Sequence, residues 1–181
     1  MSPKAGNIFL TGFMASGKTT VGRALAARLG CSFVDSDALI ERLSGRRLAG
    51  LIAEQGEAGF RRLEQRALVL AVRARGKVIA IGGGAVLREA NRALMRRTGI
   101  VCYLEASTRA LLGRLKDRGL SNRPLCIGRT QHERLKSAEF LLRIRRPLYR
   151  GVADFTVRCD RGTSKAVARR IAQRLARLGR R

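Results

Sequence analysis

The run Gly12-Phe-Met-Ala-Ser-Gly17-Lys18-Thr19 constrains this chain more than any other stretch. It fits G-x-x-x-x-G-K-[ST], with an apolar run at residues 8–10 before it and Val21, Leu25 and Leu29 at helical spacing after it. That strand–loop–helix context is what gives the spacing a physical meaning. Gly12 and Gly17 let the backbone turn tightly, so that the amides around Ala15, Ser16, Gly17 and Thr20 point inward at one anion. The helix that starts near Gly17 adds its positive dipole end. Lys18 supplies a mobile charge for β- and γ-phosphates, and the Thr19 hydroxyl is a ligand for Mg²⁺. The alternative, a glycine-rich turn that binds nothing, is disfavoured by the correct flanks. The loop reads as a cradle for a nucleoside triphosphate.

Beyond the loop, strand and helix patterns alternate. Gly30 closes the first helix, and residues 31–34 form a short strand whose end delivers Asp35 and Asp37. Ser36 or Asp37 is expected to cap a helix through Leu43, stopped by Gly45. Helical pieces follow at 48–55 and from Gly56 onward, the second with Phe60, Leu63, Ala67, Leu70 and Ala74 on one face and Gly76 as its end. Residues 77–81 read as a strand that runs directly into Gly82-Gly83-Gly84. Then come a helix at 89–97, a buried strand at 100–104, a helix at 107–117 and an aperiodic loop at 118–129. A helix at 131–146 is expected to break at Pro147, before a strand at 154–158 and a final helix at 164–178. The expected fold class is α/β: a three-layer α/β/α domain spanning 1–181, with a five-stranded parallel sheet and a lid at about 118–129. Ligands of such sheets sit beyond the carboxyl ends of the strands, where the phosphate loop, the two aspartates and the triple glycine converge.

Composition bounds the partners. Lys and Arg number 38 against 13 Asp and Glu, a formal net charge of +25. That is far more than an enzyme of anionic substrates needs; it implies either general affinity for polyanions or coding bias carried on solvated faces. No stretch approaches the length of a membrane span, and the first residues lack the apolar run of a signal peptide. Cys31, Cys102, Cys126 and Cys159 are scattered and His132 is the lone histidine, so neither a zinc site nor a disulfide framework is expected. Reduced thiols in a cytoplasmic protein are the expectation.

Several other residues could carry chemistry. Asp35 and Asp37 alternate along an extended segment, so one carboxylate can face a metal beside Thr19 and the other an acceptor hydroxyl. Helix capping would account for one of them but poorly for both. Arg61 and Glu64 sit three apart, on the face opposite Phe60 and Leu63, where an ordinary surface ion pair is the plain reading. The triple glycine is either a loose turn or a place where a substrate approaches the backbone closely. Arg123, beside Pro124, is either solvated charge or an arginine that closes on the transferred phosphoryl group. Arg145 carries the same ambiguity.

Taken in order, these pieces resemble the shikimate kinase family from about residue 7 to 171. The matching stretches are the phosphate loop through Gly22, Phe33-Val-Asp35-Ser-Asp37, Gly56-Glu57-Ala-Gly-Phe60-Arg61-Arg-Leu-Glu64, Gly82-Gly83-Gly84-Ala85-Val86, Asn122-Arg123-Pro124-Leu125 and Arg145-Arg-Pro-Leu-Tyr149. The resemblance implies ATP-dependent phosphorylation of the 3-hydroxyl of shikimate, in aromatic amino-acid biosynthesis, with ATP and Mg²⁺. It implies that Asp37 binds the acceptor hydroxyl, that Asp35 holds Mg²⁺ with Thr19, and that Arg61 and Arg145 clamp the shikimate carboxylate with Glu64 orienting Arg61. Gly83, between Gly82 and Gly84, would offer its backbone to ring hydroxyls. Arg123 would close over the ATP phosphates, Arg114 would stack on adenine, and Arg161 is a weaker candidate for the same base pocket. The loop departs from the family in carrying Ala15 where glycine is common, and in Thr19 for serine. Two rivals remain: another small-molecule kinase of this fold, such as a gluconate or nucleotide kinase, and a kinase-like sensing module of a nucleic-acid-binding regulator. The expected partners are shikimate and ATP, with no membrane, no specific nucleic acid and a monomeric state.

Overall fold

Strands buried on both faces need near-continuous apolar runs, and β1 (Asn7–Thr11), β3 (Val78–Ala80) and β4 (Gly99–Glu105) supply them. With β2 (Phe33–Asp35) and β5 (Phe155–Arg158), they form one five-stranded sheet in the order β2-β3-β1-β4-β5. Every pairing in it is parallel. The computed structural model describes residues 6–118 and 126–178. Between the strands lie α1 (Lys18–Leu29), α2 (Ser36–Ser44), α3 (Leu48–Ala71), α4 (Glu89–Thr98), α5 (Thr108–Arg118), α6 (Gln131–Val152) and α7 (Ser164–Leu178). The architecture is α/β, a parallel sheet flanked by helices, as the alternating pattern implies. The core runs through the sheet, where Phe9, Leu10, Val78 and Ile79 are fully enclosed, into Leu25 of α1, Leu68 of α3 and Ile171 of α7. Among the described residues, no helix is long and apolar enough to cross a membrane.

Three local expectations change. Helix α6 does not break at Pro147 but continues to Val152. An internal proline forfeits a backbone hydrogen bond and crowds the preceding turn, at about 3 kcal/mol; here Tyr149 and Val152 beyond it are both buried, and their packing offsets that cost. The helix after Gly56 ends at Ala71, not near Gly76, where a bond from Arg73 N to Leu70 O tightens the last turn. Lastly, Asp35 caps α2, not Ser36 or Asp37: its carboxylate accepts from the amides of Asp37 and Ala38. The break expected at Gly56 is present. Its φ of 65° and ψ of 179° lie outside helical space, so α3 is two helical pieces joined at a kink.

Candidate active site

All five strands point their carboxyl ends at one edge, and the phosphate loop leaves the central one. Gly12 follows β1 with its α-carbon against strand β4, where a Cβ would lie only 2.8 Å from Leu104 O. Gly17 sits at φ 91° as the N-cap of α1, and no side chain caps that helix. The first amides of α1 are therefore presented to an anion instead of to a protein oxygen. Ala15 between them takes a left-handed φ of 60°. Lys18 Nζ lies over the loop, 2.8 Å from Gly12 O and 3.0 Å from Phe13 O. Ser16 is buried, with its carbonyl accepting from Cys159 Sγ at 3.3 Å.

Beside the loop, a cavity of about 120 Å³ brings Lys18, Thr19 and Thr20 together with Asp35 and Asp37. Thr19 Oγ1 donates to Asp35 Oδ2 at 2.7 Å, while the other Asp35 oxygen caps α2. One residue thus serves both as a cap and as a neighbour of the phosphate-loop hydroxyl. The chain turns at once into α2, which begins at Ser36, so the strict alternation of Asp35 and Asp37 does not hold and the turn determines where Asp37 goes. Ser36 between the aspartates accepts a 2.8 Å hydrogen bond from Gly82 N, joining this turn to the triple glycine.

The triple glycine is tightly packed. A Cβ on Gly82 would meet Asp37 Oδ1 at 2.6 Å and Glu64 Oε1 at 2.8 Å, and one on Gly84 would strike the Arg61 guanidinium. A side chain at either position would have to displace the charged ends of Asp37, Glu64 or Arg61. A Cβ on Gly83 would meet Tyr149 Oη and Gly12 O only at ordinary contact distance.

Arg61 and Glu64 do not form the surface pair that their spacing suggested. They are 6% and 3% exposed, and Arg61 is bonded to Glu64 through Nη1 and to Glu57 through Nη2 at 2.7 Å. Burial works to lower the Arg61 pKa, but Glu64 and Glu57 outweigh it and hold it above its ordinary value. Burial pushes the Glu64 carboxyl above the usual carboxylate range, against the pull of Arg61 and Arg145. Arg145, on α6, is itself 4% exposed. Two buried cations, Arg61 and Arg145, thus stand beside the Glu64 carboxylate, with the more exposed Glu57 as a second partner of Arg61.

Arg114 of α5 ties three carbonyls together: Nη1 donates to Ala15 O at 3.3 Å, and Nη2 to Cys159 O at 2.6 Å and Asp160 O at 3.1 Å. It lines an open cleft of about 1160 Å³ in which the exposed Arg161 also stands. Arg123, and most of the segment read as a lid, lie outside the described residues. None of the four cysteines is in a disulfide among the described residues. Two participants were missed in the sequence. Glu57 stands four residues before Arg61, a helical spacing that signals a partner. Tyr149 carried no signal beyond its place near Arg145.

A loop shaped for a triphosphate, with Thr19 and an aspartate beside it at the carboxyl edge of a parallel sheet, defines a phosphotransferase of the P-loop kinase class. A family model described as shikimate kinase matches residues 14–176. The chain is 44% identical to the shikimate kinase of Symbiobacterium thermophilum over 175 residues, covering 97% of this chain and 99% of that one. It is equally identical, at 44% over 168 residues, to that of Thioalkalivibrio sulfidiphilus, covering 92% and 85%. Among solved structures, shikimate kinase from Acinetobacter baumannii in complex with shikimate superposes with a TM-score of 0.87 at 38% identity, covering 95% of this chain and 93% of that one. A gluconokinase from Sinorhizobium meliloti, at 19% identity and a TM-score of 0.56, shares the fold. The chain belongs to the shikimate kinase family.

Proposed function

We propose that this chain transfers the γ-phosphoryl group of ATP to the 3-hydroxyl of shikimate, yielding shikimate 3-phosphate. The observation that carries the reading is the convergence at Gly82. The Asp37 and Glu64 carboxylates flank it, Arg61 packs on Gly84, and Gly83 between them faces Gly12 and Met14 of the phosphate loop. Asp37 would hold the acceptor hydroxyl in line and take its proton, while Arg61 and Arg145 bind the carboxylate that fixes the ring. Lys18 and the loop amides would stabilise charge on the phosphoryl oxygens as it transfers. Gly83 and Gly84 would bring backbone amides to the ring hydroxyls.

The residues present also fit a magnesium ion. Thr19 Oγ1 and Asp35 Oδ2 are 2.7 Å apart, and no group of three or more His, Cys, Asp or Glu side chains among the described residues forms an all-protein cage. Magnesium characteristically takes one or two protein ligands and completes its shell with phosphate and water. Bound there, it would neutralise charge on the β- and γ-phosphates. On the nucleotide side, Arg114 and Arg161, which line one cleft, would receive the adenine base. Arg123 completes the proposal as the cation that reaches the phosphates, on the strength of its place in the sequence. We take the whole chain as one kinase domain, monomeric and cytoplasmic, without a sequence-specific nucleic-acid partner.

A coupled assay of ADP formation tests the function. Release should depend on shikimate and be weak with gluconate or nucleosides. Turnover indifferent to shikimate would reject the assignment and return the sensing module to contention.

A further inference from the structure

We infer that Tyr149 is a positioning residue that holds the acceptor site in register with the phosphate loop. This rests on the proposal that the triple glycine and Arg145 border the acceptor. Tyr149 lies beyond Pro147 near the end of α6 and is fully buried. A phenol hydroxyl removed from water needs a partner. This one donates to Gly83 O at 2.6 Å. Burial pushes its pKa up; Arg145, one helical turn before it on α6, stands close enough to pull it back down.

The position of Gly83 gives that bond its consequence. A Cβ on Gly83 would lie 3.4 Å from Tyr149 Oη, 3.5 Å from Gly12 O and 3.8 Å from Met14 N. The side of Gly83 on which a side chain would project thus faces both the phenol and the phosphate-loop backbone. Because a trans peptide is planar, anchoring the Gly83 carbonyl on the phenol aims the Gly84 amide the opposite way. Behind the phenol, the Tyr103 ring stacks on Tyr149 with centroids 5.4 Å apart, and Tyr103 pairs with Thr11, the residue before Gly12. One side chain therefore touches the carboxylate clamp and the glycine turn, and its stacking partner sits on the strand beside the phosphate loop.

The test is Tyr149→Phe, which keeps the ring and its stack and removes only the hydroxyl. Loss of one buried hydrogen bond should raise the shikimate KM about five- to tenfold. The KM for ATP should stay within about twofold, because Lys18 and the loop amides are untouched, while kcat should fall with the loss of register. A purely structural role would instead lower the melting temperature and move both KM values together, and that outcome overturns the inference. So does a shikimate KM within twofold of wild type. Should Tyr149→Phe not fold, Tyr103→Leu decides the matter, because it removes the ring stacked on Tyr149 and lies outside both substrate sites. A shikimate-selective rise in KM supports the assignment, and an unchanged shikimate KM or equal changes for both substrates reject it. Wild-type turnover that ignores shikimate would defeat the functional proposal itself, before either variant is made.

Discussion

Ala15 holds a left-handed backbone angle that residues with a Cβ avoid, at a cost of about 1–2 kcal/mol. Glycine there would relieve the strain but lose more chain entropy on folding, about 0.5–1 kcal/mol. Ala15→Gly should therefore stabilise the protein slightly in urea titration, with nucleotide binding retained; a lower midpoint would mean that the methyl group packs favourably. Asp37 calls for a different experiment. Asp37→Asn preserves shape and removes the base, so turnover should fall by about 10²–10⁴-fold while an ATP analogue still binds. Near-normal turnover would remove Asp37 from the mechanism. The buried carboxylate gives a pH dependence with a definite sign. Glu64 has a pKa raised above the ordinary carboxylate value, so acidification neutralises it earlier than an exposed glutamate. Neutral Glu64 no longer fixes Arg61, and the shikimate KM should climb as pH falls through that raised value. In Glu64→Gln this acid limb should vanish. An identical limb in the variant would assign the titration to another group.

At the scale of elements, α3 shows what could and could not be read in advance. Its glycine break and its apolar face of Phe60 and Ala67 follow from residue type and spacing. The burial of Arg61 and Glu64 on the other side does not, because periodicity describes one helix and cannot see the turn after β3 that packs against it. Asp35 shows both cases: its cap on α2 is a bond to an amide two residues on, whereas its place beside Thr19, expected from the resemblance, depends on α1 being brought against β2. Pro147 misled in the opposite direction, since a local rule about helix interiors was overridden by contacts formed much earlier in the chain. What was legible was whatever depended on near neighbours: the phosphate loop, every strand, and most helix ends. Gly56 lies at backbone angles that only glycine adopts readily, and forcing another residue there costs about 1–3 kcal/mol. Gly56→Ala should lose stability of that order. By shifting the phase of Glu57 and Arg61, it should also weaken shikimate more than ATP. Equal losses for both substrates would detach the kink from the carboxylate clamp.

For the whole molecule, the outstanding property is charge. Residues 161–181 carry eight basic side chains and no acidic one. Helix α7 buries Val167, Ala168 and Ile171, and the arginines at 169, 170, 174 and 177 face solvent. Such a surface should bind duplex DNA at low salt through counterion release and let go steeply as salt rises. Kinase activity should hardly respond to competing duplex, since screened charges act over about 8 Å at physiological salt. Tight, sequence-selective binding that persists in physiological salt would contradict this account. The stacked tyrosines have one more consequence, an optical one. The chain has no tryptophan and only two tyrosines, Tyr103 and Tyr149, in contact with each other beneath Gly83. The near-ultraviolet emission of the protein therefore originates almost wholly from one spot under the acceptor pocket. A shikimate titration followed by that emission observes the pocket without a label, and a tryptophan introduced anywhere else would be seen against a dark background.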